Sequence, residues 1–217
     1  MKNLKINIAH ILYFTKLLNK FQEVERVVNL PKREGRENDA EHSYQLAMLA
    51  WYIAESNELT LDKNLLLKYA LVHDFVEVYA GDTFIYSKKQ TDHETKHARE
   101  EEARVQLKQE LPEFKEFHSA ILEYEKLENK ESRFIYVLDK IHPVLQIYLD
   151  DGRNWHEHNV TLEKLLDKKR DKMFLSPELL PYWEELEKIL TENKAALFPE
   201  NDNQLFPNSS SDSVIEN

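Results

Sequence analysis

No cysteine occurs among the 217 residues, which excludes disulfides, thiolate metal centres and cysteine nucleophiles together. A transition metal would have to rest on histidine and carboxylate ligands, a set that suits Mn, Fe, Co, Mg or Zn. Glycine is nearly as scarce: only Gly35, Gly81 and Gly152 occur, each where a helical pattern stops. Strand-like alternation is almost missing, and no apolar run reaches the ~18 residues that a membrane-spanning helix needs. Positive charge is in short supply too. With 29 Lys and Arg against 40 Asp and Glu, the net charge of -11 argues against a surface that coats nucleic acid. What is present is globular in composition, 41% apolar and 32% charged. The length suits one core that buries roughly 70% or more of the unfolded surface. The opening stretch MKNLKINIAHILYFTKLLNKF reads as an amphipathic helix rather than a signal peptide. An all-α, cytoplasmic protein with no membrane partner is expected.

The helical pattern divides into segments. A first helix over 3–22 precedes a polar loop, and Asn38 with Glu41 three residues on forms a capping box for the helix AEHSYQLAMLAWYIAE. That helix is expected to bury Leu46, Ala47, Leu49, Ala50, Tyr52 and Ile53. Asp62 caps the next, which reads as one buried helix through Leu65–Asp82 and ends at Gly81. TFIYSKKQTD at 83–92 is long enough for a lid or rim. Helices over 93–111 and 112–127 follow, then a buried one from Glu131 in which Pro143 is expected to cause a kink. RNWHEHNV forms a loop, Thr161 caps a helix over 162–173, and Ser176-Pro177 opens a last one to 198. One domain over 1–198 and a disordered, serine-rich tail over 199–217 are expected.

The chemistry gathers around the adjacent pair His73-Asp74. Neighbours on a helix sit ~100° apart, so the two cannot share one core stripe. Burying both costs several kcal/mol unless they are paired or bound to metal. Glu77 falls on their face, four residues after His73 and three after Asp74. Alone, such a pair is more often a hydrogen-bonded couple without metal. His42 lies in the first turn of its helix, where histidines are ordinarily exposed or capping. Asp139 stands amid Val137, Leu138 and Ile141, and either pairs with Lys140 or points into a polar site shared with His42, His73 and Asp74. His93 and His97 are four apart, but on so charged a segment they suit a solvated face.

The segments ENDAEHSYQLAMLA at 37–50, LVHDFVEVYAGDTF at 71–84 and FIYVLDKIHPVLQIY at 134–148 form a specific combination. It resembles the HD-domain metal-dependent phosphohydrolases, closest to the subgroup that includes the 5'-deoxynucleotidases, and spans about residues 5–165. The resemblance implies a single HD-domain helical bundle and one divalent metal ion held by His42, His73, Asp74 and Asp139. It places Glu77 and Asp82 in the catalytic centre and gives phosphate binding to Arg26, with Arg33 and Arg36 as rivals. Water activated by the metal would then remove phosphate from (deoxy)nucleoside 5'-monophosphates. Asp82 could position that water, protonate the leaving 5'-oxygen or bond a sugar hydroxyl. Alternatives are a phosphodiesterase or pyrophosphohydrolase acting on a cyclic or hyperphosphorylated nucleotide, and a nucleotide-binding protein without turnover. The last would be expected to have lost one or more of His42, His73, Asp74, Asp139 and Glu77. Two departures matter. Val27 and Val28 follow Arg26 where relatives tend to place a bulky aromatic near the sugar, and there is no His-His dipeptide of the kind dinuclear relatives use. A Trp155–His158 loop is expected either at the pocket rim or in helix packing. Members of this family often form dimers.

Overall fold

Asn7 accepts from the backbone N–H groups of Ala9 and His10 and thereby starts the first helix, α1 (Ile8–Gln22). The computed structural model describes residues 5–82 and 90–200. The all-α expectation holds with one exception. The stretch read as a polar loop contains two short strands, β1 (Glu25–Asn29) and β2 (Arg36–Asn38). They pair antiparallel, with Glu25 opposite Asn38 and Asn29 opposite Arg36 across an irregular register. Strands of five and three residues are too short to show a period-2 signal in so charged a segment.

β2 runs straight into α2 (Asp39–Ser56), where Asn38 and Glu41 make the expected capping box. α2 buries Leu46, Ala47, Ala50 and Ala54, but Tyr52 is 70% exposed, contrary to expectation. Tyr52 stands only two residues from Ala50 and Ala54, which on a 3.6-residue helix turns it about 160° from each. α3 (Lys63–Val72) is capped by Asp62 as expected. It packs Leu66, Tyr69 and Ala70 inward, while Leu71 is exposed.

The expected single helix over Leu65–Asp82 is broken. After Val72 the backbone tightens: Glu77 N–H donates to Asp74 O at 2.8 Å and Phe75 N–H to Val72 O at 3.1 Å, bonds three residues apart in the 3₁₀ manner. A four-residue helix, α4 (Glu77–Ala80), then ends at Gly81 with φ +72°. The apolar run hid this break, since Phe75, Val76 and Val78 are all buried.

α5 (Gln90–Glu110) and α6 (Lys115–Lys126) follow. The proposed lid over 83–92 lies mainly outside the described residues, and its last three residues belong to α5. α7 (Lys130–Leu149) is the central element, with Phe134, Ile135, Val137 and Leu138 buried, and it runs on through Pro143. RNWHE is a short helix, α8 (Arg153–Glu157), rather than a loop. α9 (Leu162–Met173) carries the expected Thr161 cap. The last expected helix is two, α10 (Leu180–Glu192) and α11 (Lys194–Leu197). The serine-rich tail from residue 201 lies outside the described residues. Among the described residues no helix is long and apolar enough to cross a membrane.

Candidate active site

The ribbon β1–β2 and the start of α2 bring three charged side chains together. Glu37 and Asp39 are two apart on extended chain, so they share a face. Arg26 meets them from β1: its Nη1 donates to Asp39 Oδ1 at 3.0 Å, and its Nε lies 3.5 Å from Glu37 Oε2. The same Nη1 donates to Asp74 Oδ2 at 2.6 Å. Burial opposes the charge on Arg26, but Asp74, Asp139 and Asp39 outweigh it and raise its pKa further. Arg33 and Arg36 are exposed and do not line the cavity beside Arg26.

His42, His73, Asp74 and Asp139 come from α2, the end of α3, the 3₁₀ turn and α7. One donor atom from each lies within 4.8 Å of all the others. His42, expected as an exposed or capping residue, is fully buried. Its Nε2 is 3.0 Å from Asp139 Oδ1 and its Nδ1 is 3.3 Å from Glu37 Oε2. Burial and the Arg26 charge disfavour its protonation, but bonds to Asp139 and Glu37 prevail and raise it to about 9. Asp139 pairs with Lys140, Oδ2 to Nζ 2.6 Å, while its Oδ1 faces His42 and His73. The two readings of Asp139 thus hold at once. Burial opposes its ionisation, yet Lys140 and His42 keep it well below the usual carboxylate range. For Asp74, His73 and Arg26 overcome burial in the same direction.

His73 is oriented by its own helix. Its Nδ1 is 2.9 Å from Ala70 O, and a peptide carbonyl only accepts, so the neutral ring carries its hydrogen there and its lone pair on Nε2. That Nε2 is buried without a hydrogen-bond partner, 2.9 Å from Asp74 Oδ2. With the ring neutral, these two lone-pair atoms form one edge of a cation site.

A second acidic group overlaps this one. Oxygens of Asp39, Asp74 and Glu77 also cluster within 4.8 Å, because residues three apart eclipse in the 3₁₀ turn that carries Asp74 and Glu77. Burial, then Asp74 and Asp39, raise Glu77 well above the usual range, and Asp39 is raised to about 6 by burial and Asp74 against the pull of Arg26. Lys96 of α5 approaches Glu77 Oε1 at 3.8 Å. Glu37, Asp39, Lys96 and Lys169 were not singled out as site residues. Their sequence signal is the alternation Glu37, Asn38, Asp39 ahead of a helix, and for the lysines there is none, since each sits among other charges. His97 is exposed, as expected, and the His93 side chain lies outside the described residues.

Of these groups Arg26, Asp74, Glu77, Lys96, Asp139 and Lys140 floor a cavity of about 230 Å³, together with Asp82, while His42 and His73 lie behind that floor. One wall follows α7 away from Asp139 through Pro143, Val144 and Ile147; Val27 and Val28 of β1 make another; and Trp155, His158, Val160 and Leu165 close the third. The tryptophan-histidine segment thus serves both expected uses: it lines the cavity and packs, with Trp155 stacked on Phe198 at 4.2 Å between centroids.

A model of the HD-domain family matches residues 18–180. The chain belongs to the HD-domain family. Among HD-domain relatives it is similar to the 5'-deoxynucleotidase HDDC2 of Homo sapiens, 31% identical over 86% of this chain and 89% of that one. It is likewise similar to the 5'-deoxynucleotidase HDDC2 of Bos taurus, 30% identical over 82% and 84%. Its fold matches the crystal structure of a predicted metal-dependent phosphohydrolase from Magnetospirillum magnetotacticum MS-1, with a TM-score of 0.76 at 31% identity over 88% of this chain and 96% of that one. The adjacent His73-Asp74 pair, with His42 and Asp139, offers two imidazoles and two carboxylates. This set fits a six-coordinate divalent cation with positions to spare for oxygen ligands.

Proposed function

We propose that this protein is a metal-dependent phosphohydrolase that releases phosphate from nucleoside 5'-monophosphates, deoxy ones included. The observation that carries the reading is the cluster of His42, His73, Asp74 and Asp139 donors, two of which, Asp74 and Asp139, join the Arg26 guanidinium at the polar floor of a cavity whose far walls are apolar. Phosphate belongs at the floor and the nucleoside along the walls.

His42, His73, Asp74 and Asp139 would hold a divalent cation, which would supply Lewis acidity toward the phosphate and its attacking water. Arg26, whose Nη1 and Nε already face Asp39, Asp74 and Glu37, offers its remaining Nη2 donors to a phosphate oxygen and offsets the charge that grows there. Glu77, raised by burial and its acidic neighbours, takes the proton from the attacking water. Asp82 lines the cavity beyond Gly81, and we assign it to the side where the sugar oxygen leaves. Val27 and Val28 leave room beside the sugar, so the preference for deoxyribose over ribose is expected to be small.

The test is phosphate release from a panel of deoxy- and ribonucleoside 5'- and 3'-monophosphates, using protein stripped of metal and then given Mn, Co or Mg in turn. Release from the 5'-monophosphates only after metal addition supports the reading. No release from any of them, with metal bound, overturns it and points to a cyclic or polyphosphorylated nucleotide.

A further inference from the structure

Behind His42, away from the cavity, lies a buried polar network that the hydrolytic scheme does not use. Glu37 is 1% exposed, and neither of its carboxylate oxygens has a hydrogen bond of good geometry. A buried carboxylate in that state needs a reason. Two cationic or donor groups approach the same oxygen, Oε2: His42 Nδ1 at 3.3 Å and Arg26 Nε at 3.5 Å. One group belongs to the metal-binding set and the other to the phosphate grip.

The hydrogens behind His42 can be placed. Gln146 Nε2 donates to Gln45 Oε1 at 2.6 Å, and His142 Nε2 lies 3.2 Å from the same oxygen. An amide oxygen only accepts, so His142 carries its hydrogen on Nε2 and, when neutral, its lone pair on Nδ1. That Nδ1 is 3.0 Å from His42 Nδ1, so the hydrogen between them comes from His42. With Nδ1–H shared between His142 and Glu37, the proton that His42 can give up is the one on Nε2, and losing it leaves a lone pair that faces Asp139 and the cation site.

We infer that Glu37 is a positioning residue that fixes His42 as an Nε2 ligand and holds Arg26 in line with the phosphate, with His142 as the second acceptor behind His42. Carboxylates behind metal-binding imidazoles act in this way, and removing one typically weakens metal affinity 10–100-fold. Here one carboxylate orients both the metal-binding histidine and the phosphate-binding arginine, so its loss is felt at two steps. The inference rests on the metal reading above, and the experiment separates the two.

Co(II) binding to the full-length protein is measured by competition with a chelator and by the visible spectrum of the bound ion, for wild type, Glu37→Gln, Glu37→Asp and His42→Ala. The affinity of the metal-loaded protein for inorganic phosphate is measured beside it. Glu37→Gln keeps shape and removes charge, so it is expected to fold with a near-native circular dichroism spectrum. It should weaken Co(II) binding 10-fold or more, alter the visible spectrum and weaken phosphate binding, with Glu37→Asp recovering part of each. Unchanged Co(II) affinity and spectrum in Glu37→Gln, alongside lost binding in His42→Ala, would overturn the role of Glu37 and leave the metal reading standing. Unchanged binding in His42→Ala would overturn the metal reading itself, and the inference with it.

Discussion

At the scale of single residues, the site is a balance of buried charges of both signs. Asp74 and Asp139 are held ionised against burial by Arg26, His73, His42 and Lys140, and the guanidinium bridges Asp39 and Asp74. Replacing His73 or Asp74 by alanine is expected to abolish stoichiometric metal binding and to reduce turnover by more than the 10–100-fold typical of outer-shell changes. Elemental analysis of dialysed protein checks the first, and unchanged metal content in both variants would remove them from the ligand set. Glu77→Gln is expected to differ: metal retained, with kcat lower by about 10²-fold or more, and a metal loss there would make Glu77 a ligand instead. Which residues meet was largely legible in the sequence, because four of them stand in three quotable blocks. Glu37 and Asp39 were hidden because their ENDAEH context reads first as a helix cap, and it is one; the two carboxylates acquire their second meaning only when β1 lies beside them.

Elements show where pattern reading succeeds and where geometry must be seen. Helices with strong caps, at Asn38, Asp62 and Thr161, lie where their residues put them. The break after Val72 was invisible because the tightening from four-residue to three-residue bonds leaves apolar composition unchanged, yet that break is what stacks Asp74 over Glu77. Pro143 illustrates the converse. Having no N–H, it leaves the carbonyl one turn back without its helical donor, and next to that position Lys169 of α9 donates its Nζ to Lys140 O at 2.7 Å. Lys169 is almost fully buried, and burial together with Lys140 lowers it to about 7. A lysine depressed in the folded state binds fewer protons there than in the unfolded chain between pH ~7 and its ordinary ~10.4. Stability attributable to it therefore rises with pH across that window, and the full penalty of the buried charge applies below it. Lys169→Met is expected to be more stable than wild type by on the order of 1–3 kcal/mol at pH 6, seen as a higher Tm, with the gain shrinking by pH 9. A lower Tm at pH 6 would show that the bond to Lys140 O outweighs the buried charge.

On the scale of the whole molecule, the C-terminal helices brace the cavity from behind. Leu197 and Phe198 are buried, and Phe198 stacks on Trp155 of α8. α8 in turn is clipped to the ribbon: Asn154 Oδ1 accepts from Asn29 N–H at 2.8 Å, and its Nδ2 donates to Val27 O at 2.7 Å. β1 carries Arg26, so contacts run unbroken from the end of α11 through α8 to that guanidinium. These contacts reach beyond residue 180, where the family match ends. Gly152 is the hinge of this arrangement. Its φ of +77° disfavours any side chain, and a Cβ there would lie 2.0 Å from Leu197 O, a backbone atom that can retreat only if α11 does. Gly152→Ala is therefore expected to destabilise the protein by about 2–4 kcal/mol, and Phe198→Ala by about 3–5 kcal/mol. Each should lower Tm by roughly 2–4 °C per kcal/mol in a chain of this size. Because both act by detaching α11 from α8, the double variant should lose clearly less than the sum of the two. Denaturant titrations of the two single variants and the double variant decide it. Full additivity would mean that the α11 contact at Gly152 and the Trp155–Phe198 stack are independent, and that the brace is two separate attachments rather than one.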